Sequence, residues 1–153
     1  MAEKRETPYG AFAFLISLGN DQGSGEEGQV VGGFSDVSGL GMELSYSEYR
    51  NGNERQNTVR KVPNTYKVDD VTLKRGVIGS TDLYDWLAGV AAGDLDQRSV
   101  TITLLDEARN PVATWELTNA SPKKWTGPTL AAKGGGEVAM EEISFVHEGL
   151  VYR

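Results

Sequence analysis

Cysteine is absent from the 153 residues. That excludes disulfides and thiolate chemistry and speaks against a disulfide-stapled secreted scaffold, without fixing a compartment. Histidine occurs once, at His147. With no second histidine and no cysteine beside it, it reads as a packing or surface residue rather than a catalyst or metal ligand. Long apolar runs are missing too. The longest, Ala11 to Ile16, is far too short to span a bilayer, and the charged start Met-Ala-Glu-Lys-Arg-Glu-Thr-Pro has no apolar signal core. The expectation is a soluble chain assembled in the cytoplasm, with no stable membrane insertion. Positive charge is in deficit, 15 basic against 22 acidic side chains, a net −7. This argues against nucleic-acid or anionic-membrane partners, which rely on positive surface.

Recognisable catalytic patterns are equally scarce. Gly23-Ser-Gly25-Glu-Glu-Gly28 matches a dinucleotide fingerprint by letter only. No helix follows it, and Glu26 and Glu27 would stand where a pyrophosphate needs backbone donors. The acidic pairs Glu26-Glu27, Asp69-Asp70 and Glu141-Glu142 are sequence neighbours. On strands they face opposite ways and cannot act as paired carboxylates. Asp94-Leu-Asp96 lacks the rest of a calcium loop. The sequence therefore assigns no catalytic, cofactor or metal residues, and no enzyme activity.

What is present is organised around Asp70 to Ala92. Val71 and Leu73 alternate with Thr72 and Lys74, the period of a half-buried strand, until Gly76 and Gly79 break it. The period then becomes helical. Leu83, Trp86, Leu87 and Val90 fall at i, i+3, i+4 and i+7, predicting one apolar face on a helix over about 80–92, with Ser80 as N-cap, Asp82 in the first turn and Gly93 closing the end. No second helix of that quality is visible.

The other segments read as strands: Ala11 to Leu18, Val30 to Val37, Met42 to Ser47, Ser99 to Leu105, Val112 to Ala120 and Glu137 to Val146. Ser38-Gly39 marks a turn or bulge, Asp106 to Pro111 a hairpin turn, Ser121 to Pro128 a stiff loop and Gly134 to Gly136 a joint. About six to eight strands and one helix predict a mainly β domain over 1–153, an antiparallel barrel or sandwich with one flanking helix. Between them lies a long extended loop over about 50–68 that is poor in apolar residues and rich in basic ones. Polar excursions of that length are uncommon in compact domains.

Several segments, in order, resemble tail-tube proteins of contractile phage tails and phage-tail-like contractile injection systems. They are Pro8 to Phe14, Gly33-Phe-Ser-Asp-Val-Ser-Gly-Leu40, Glu48-Tyr-Arg50, Val71-Thr-Leu-Lys-Arg-Gly76, Leu83-Tyr-Asp-Trp86, Val100 to Asp106, Trp115 to Trp125 and Val138 to Leu150. The resemblance implies a β-barrel with a flanking helix, six copies in a ring and rings stacked into a rigid hollow tube. A sheath would surround that tube, baseplate and terminating proteins would bound it, and its lumen would carry cargo. On that reading Arg50, Arg55, Arg60, Lys61 and Lys67 form an arm contacting acidic surface on neighbouring copies. Related roles are a baseplate-proximal adaptor ring or a type VI secretion tube protein. A monomeric β-sandwich binding sugar or peptide is the more distant alternative.

Overall fold

The computed structural model describes residues 6–19, 34–53, 59–79, 81–134 and 138–153. Its elements are β1 (Phe14–Leu18), β2 (Asp36–Ser38), β3 (Met42–Tyr49), β4 (Arg60–Val68), β5 (Val71–Gly76), α1 (Asp82–Ala91), β6 (Arg98–Leu105), β7 (Pro111–Thr126), β8 (Met140–Val146) and β9 (Gly149–Tyr152). All pairings among the described residues are antiparallel. Seven strands follow the hydrogen-bonded order β1-β6-β7-β8-β5-β2 with β9 added to β7, while β3 and β4 make a separate two-stranded sheet. The path does not close into a barrel. It folds into a sandwich, with β1, β2 and β9 as edges among the described residues.

Strand β7 makes the sandwich. Its first half pairs with β6 on one side and β9 on the other, and its second half, Ser121 to Thr126, pairs with β8. Between Leu117 and Ala120 the register against β6 shifts by one residue, and Asn119 adopts φ +51°. Asparagine tolerates that left-handed conformation better than most side chains. The extra residue explains why Leu117 and Ala120 are both buried, although three residues apart they would face opposite ways on a regular strand. Asn119 Nδ2 donates to Glu148 Oε2 at 2.7 Å and ties the bulge to the β8–β9 turn.

Ser121 to Thr126 is therefore strand, not part of the stiff loop that Pro122 and Pro128 suggested. Pro122 is accommodated because it lies beside a second register shift, where the ladder is already interrupted. The stretch over 50–68 is likewise only partly loop. Residues 60–68 form β4, paired with β3 from Tyr49↔Arg60 to Met42↔Val68.

The core between the sheets consists of Ile16 and Leu18 from β1, Val100 and Ile102 from β6, Leu117 and Ala120 from β7, Val71 and Leu73 from β5, and Ile143 and Phe145 from β8. Burying each large aliphatic or aromatic side chain contributes about 1.5–3 kcal/mol. Gly39 is required at the end of β2. Its φ is +89°, and a Cβ there would meet the Asp70 carbonyl oxygen at 2.0 Å.

Helix α1 lies over β7, with Leu83 and Trp86 buried and Val90 partly so. Leu87 is half-buried. The Trp86 ring meets Phe145 at 6.1 Å between centroids, its Nε1 donates to the Asp96 carbonyl at 2.8 Å, and the Arg98 guanidinium covers its face at 4.8 Å. The helix spans 82–91, with Thr81 at its start; Ser80, read as the cap, lies outside the described residues. At the other end the amides of Gly93 and Asp94 bond back to the carbonyls of Val90 and Gly89, and Gly93 has φ +104°. This is the Schellman pattern that glycine at C′ permits.

Because the indole is only 2% exposed, Trp86→Ala is expected to cost about 3–5 kcal/mol, seen as a clear fall in melting temperature. An unchanged melting temperature would remove α1 from the core.

Candidate functional site

The β3–β4 hairpin leaves the body at a defined root. Gly41 N donates to Gly39 O and accepts at its own carbonyl from Asp69 N, at 2.9 and 3.1 Å, and Leu40 packs against the core. Beyond that root the hairpin makes hardly any contact with other elements among the described residues. Met42, Leu44 and Tyr46 stand opposite Val68, Tyr66 and Pro63, so they share one face. Met42, Leu44, Tyr46 and Tyr66 are 44–57% exposed. The other face carries Glu43, Ser45, Ser47 and Tyr49 against Lys67, Val62 and Arg60. A lone two-stranded hairpin is marginally stable in water, and an exposed apolar face on one marks a contact surface.

The basic residues expected to form an arm are gathered here. Arg50, Arg60, Lys61 and Lys67 are exposed on the hairpin; Arg55 lies outside the described residues. Lys61 pairs across the strands with Glu48, and Lys67 with Glu43. Residues 42–68 include five basic and three acidic side chains, a net +2 on a molecule of −7. The hairpin is thus cationic relative to the body, though part of that charge is balanced within it.

A second polar cluster lies inside the domain, where the charge pattern of the sequence gives no hint of it. Arg75 is 1% exposed. Its Nε donates to Glu141 Oε1 at 2.5 Å, and its Nη2 donates to Asp82 in the first turn of α1. Trp125 Nε1 donates to the other Glu141 oxygen at 3.3 Å, and the guanidinium lies 5.7 Å from the Phe34 ring centroid. Burial acts first and would lower the Arg75 pKa. Hydrogen bonds to Asp82 and Glu141, with their charges, outweigh it and raise the pKa above its ordinary value. The signal for this cluster is in the strand period. Val71, Leu73 and Arg75 occupy alternate inward positions.

Glu141 forms part of an open, mainly apolar groove of about 390 Å³ with Val77, Thr81, Tyr84, Trp125 and Pro128. Both its oxygens are engaged, Oε1 by Arg75 and Oε2 by Trp125. His147 Nδ1 and Nε2 each lie 3.0 Å from a main-chain oxygen, those of Gly149 and Asp69. The ring thereby links the β8–β9 turn to the β4–β5 turn. Of the acidic pairs, Asp70 bridges Lys123 at 2.7 Å, and Glu141 is buried while Glu142 faces outward.

Arg75→Ala leaves the Glu141 carboxylate buried without its cation and is expected to cost about 3–5 kcal/mol in urea unfolding. A loss below about 1 kcal/mol, the scale of an exposed pair, would show that the network is solvated.

Residues 10–151 match the model of a family described as T4-like virus tail tube protein gp19. No curated protein sequence matches the chain. Among solved structures, the chain is similar to one from the extended sheath-tube complex of an extracellular contractile injection system, PVC. Identity is 27% over 97% of this chain and 93% of that one, with a TM-score of 0.81. A chain of the 6-fold symmetrised baseplate of the anti-feeding prophage (AFP) aligns at 24% identity over 97% of each, with a TM-score of 0.84. Hcp1 from Flavobacterium johnsoniae shares the fold at 11% identity, over 92% of this chain and 94% of that one, with a TM-score of 0.52.

Proposed function

The chain belongs to the T4-like virus tail tube protein gp19 family, a structural subunit of a contractile tail or tail-like injection particle, and from that membership we propose how it assembles. Six copies close into a ring, and rings stack into a hollow conduit that a contracting sheath drives through a target envelope. The family match over 10–151 carries this reading. The similar chain from the AFP baseplate belongs to a 6-fold symmetrised assembly, which supports the ring number. Names of other similar structures supply the partners: a sheath around the tube, a sheath/tube terminator and a tube-terminating cap. The lumen carries genome or protein cargo, and the subunit has a structural rather than catalytic role. Assembly proceeds in the cytoplasm.

The β3–β4 hairpin is the docking arm. Its apolar face gives a neighbouring copy a surface to bury, and its cationic character matches a body that is otherwise strongly acidic. Arg50, Arg55, Arg60, Lys61 and Lys67 set register rather than supply most of the affinity. Each exposed pair contributes only about 0.2–1 kcal/mol, repeated around every ring. The open edges at β1, β2 and β9 are covered in the ring, which prevents uncontrolled strand pairing.

Two variants separate the contributions. Replacing Arg55, Arg60 and Lys61 together by Ser should leave the circular dichroism spectrum intact and shorten tubes in electron micrographs, and added salt should weaken wild-type assembly in the same direction. Replacing Leu44 and Tyr66 by Ser should abolish tubes at any salt concentration. Full-length tubes from both variants at wild-type concentration would show that the hairpin is not the docking arm. Closed single rings from the wild-type protein would instead favour a baseplate-proximal adaptor.

A further inference from the structure

The hairpin tip reads Tyr49-Arg50-Asn51-Gly52-Asn53. Strand pairing ends at Tyr49 opposite Arg60, so Asn51 and Gly52 stand just outside the ladder. Among the described residues, its two chain neighbours aside, no atom lies within 4 Å of where a Gly52 Cβ would be, and glycine has wide backbone freedom. The Tyr49 hydroxyl donates to Oδ1 of Asn51. We propose that Asn51 is a self-modification site, deamidating in the folded subunit with Tyr49 assisting the reaction.

The step uses only this protein and water. The Gly52 amide nitrogen, losing its proton to hydroxide, attacks Asn51 Cγ and forms a new C–N bond. Negative charge then develops on Oδ1, the atom that the Tyr49 hydroxyl already contacts. Collapse of this intermediate breaks the original bond between Cγ and Nδ2, and ammonia leaves with a proton from water, closing a five-membered succinimide. Water opens the ring at either carbonyl to give aspartate or isoaspartate. Overall, one amide and one water become one carboxylate and one ammonium ion.

The product adds a negative charge to the cationic arm. For this consequence alone the inference rests on the docking reading. A subunit that waits unassembled loses docking strength, while one already docked has its tip backbone held and stops reacting.

The site is tested by mass spectrometry on the full-length protein incubated at mildly alkaline pH and digested below neutral pH. Trypsin cleavage after Arg50 and Arg55 releases Asn51-Gly52-Asn53-Glu54-Arg55, in which Asn53 is an internal control. Amide-to-acid conversion should accumulate at Asn51 ahead of Asn53, with aspartate and isoaspartate as separate chromatographic species. It should run severalfold faster in the folded protein than in guanidinium chloride, and Tyr49→Phe should bring the folded rate down to the unfolded one. A folded rate no greater than the unfolded rate, or one unmoved by Tyr49→Phe, overturns the assisted site. For the consequence, Asn51→Asp should lower tube yield while Asn51→Ser does not. Equal yields from the two, with conversion at Asn51 still observed, would overturn the effect on docking and leave the site standing.

Discussion

A single strand can serve two sheets only if its backbone turns over between them, and the rest of this fold depends on how β7 does so. The extra residue at Asn119 lets Leu117 and Ala120 both point into the core, after which Ser121 to Thr126 can pair with β8. Without that reversal the second half of β7 would turn its buried side outward, and β8, β5 and β2 would lose their connection to β6 and β1. The side-chain bond from Asn119 to Glu148 holds the bulge where it is needed.

On this frame the helix is secured in two chemically different ways. Trp86 and Leu83 supply apolar burial, while Arg75 connects β5, β8 and the start of α1 through Glu141 and Asp82. Replacing a buried ion cluster by apolar side chains is often neutral for stability, so what this one adds is orientation. A guanidinium with two carboxylate partners admits few positions for α1, whereas an apolar contact alone would let it slide. The Glu141 to Trp125 bond carries the same constraint to the end of β7.

The body thus completes its core within one subunit, and the β3–β4 hairpin does not take part in it. Its apolar face is exposed among the described residues, and on the proposed reading a neighbouring copy buries it. That division suits a conduit, in which a stiff unit must hold its shape while a projecting element commits to a neighbour. Asn51 and Gly52 stand beyond the last strand pair of that element.

Much of this was legible in the residues. The change from a two-residue to a helical period placed β5 and α1, and the spacing of Leu83, Trp86 and Val90 identified the buried face. The alternation in Ser99 to Ala120 located the β6–β7 hairpin, because both are local patterns written in adjacent residues. The order of short segments identified the family. Tertiary structure alone decided the rest. Ser121 to Thr126 read as loop because Pro122 within it and Pro128 just beyond it are local signals for a break, and only a partner strand distant in sequence, β8, makes it a strand. Residues 60–68 showed no clean alternation because the irregularity opposite Leu44 and Tyr46 shifts their register, and no core within the subunit imposes a period on them. The partners of Arg75 were not legible because a sequence displays a charge but not what it pairs with; Glu141 lies 66 residues away, and only folding brings the two within hydrogen-bonding distance.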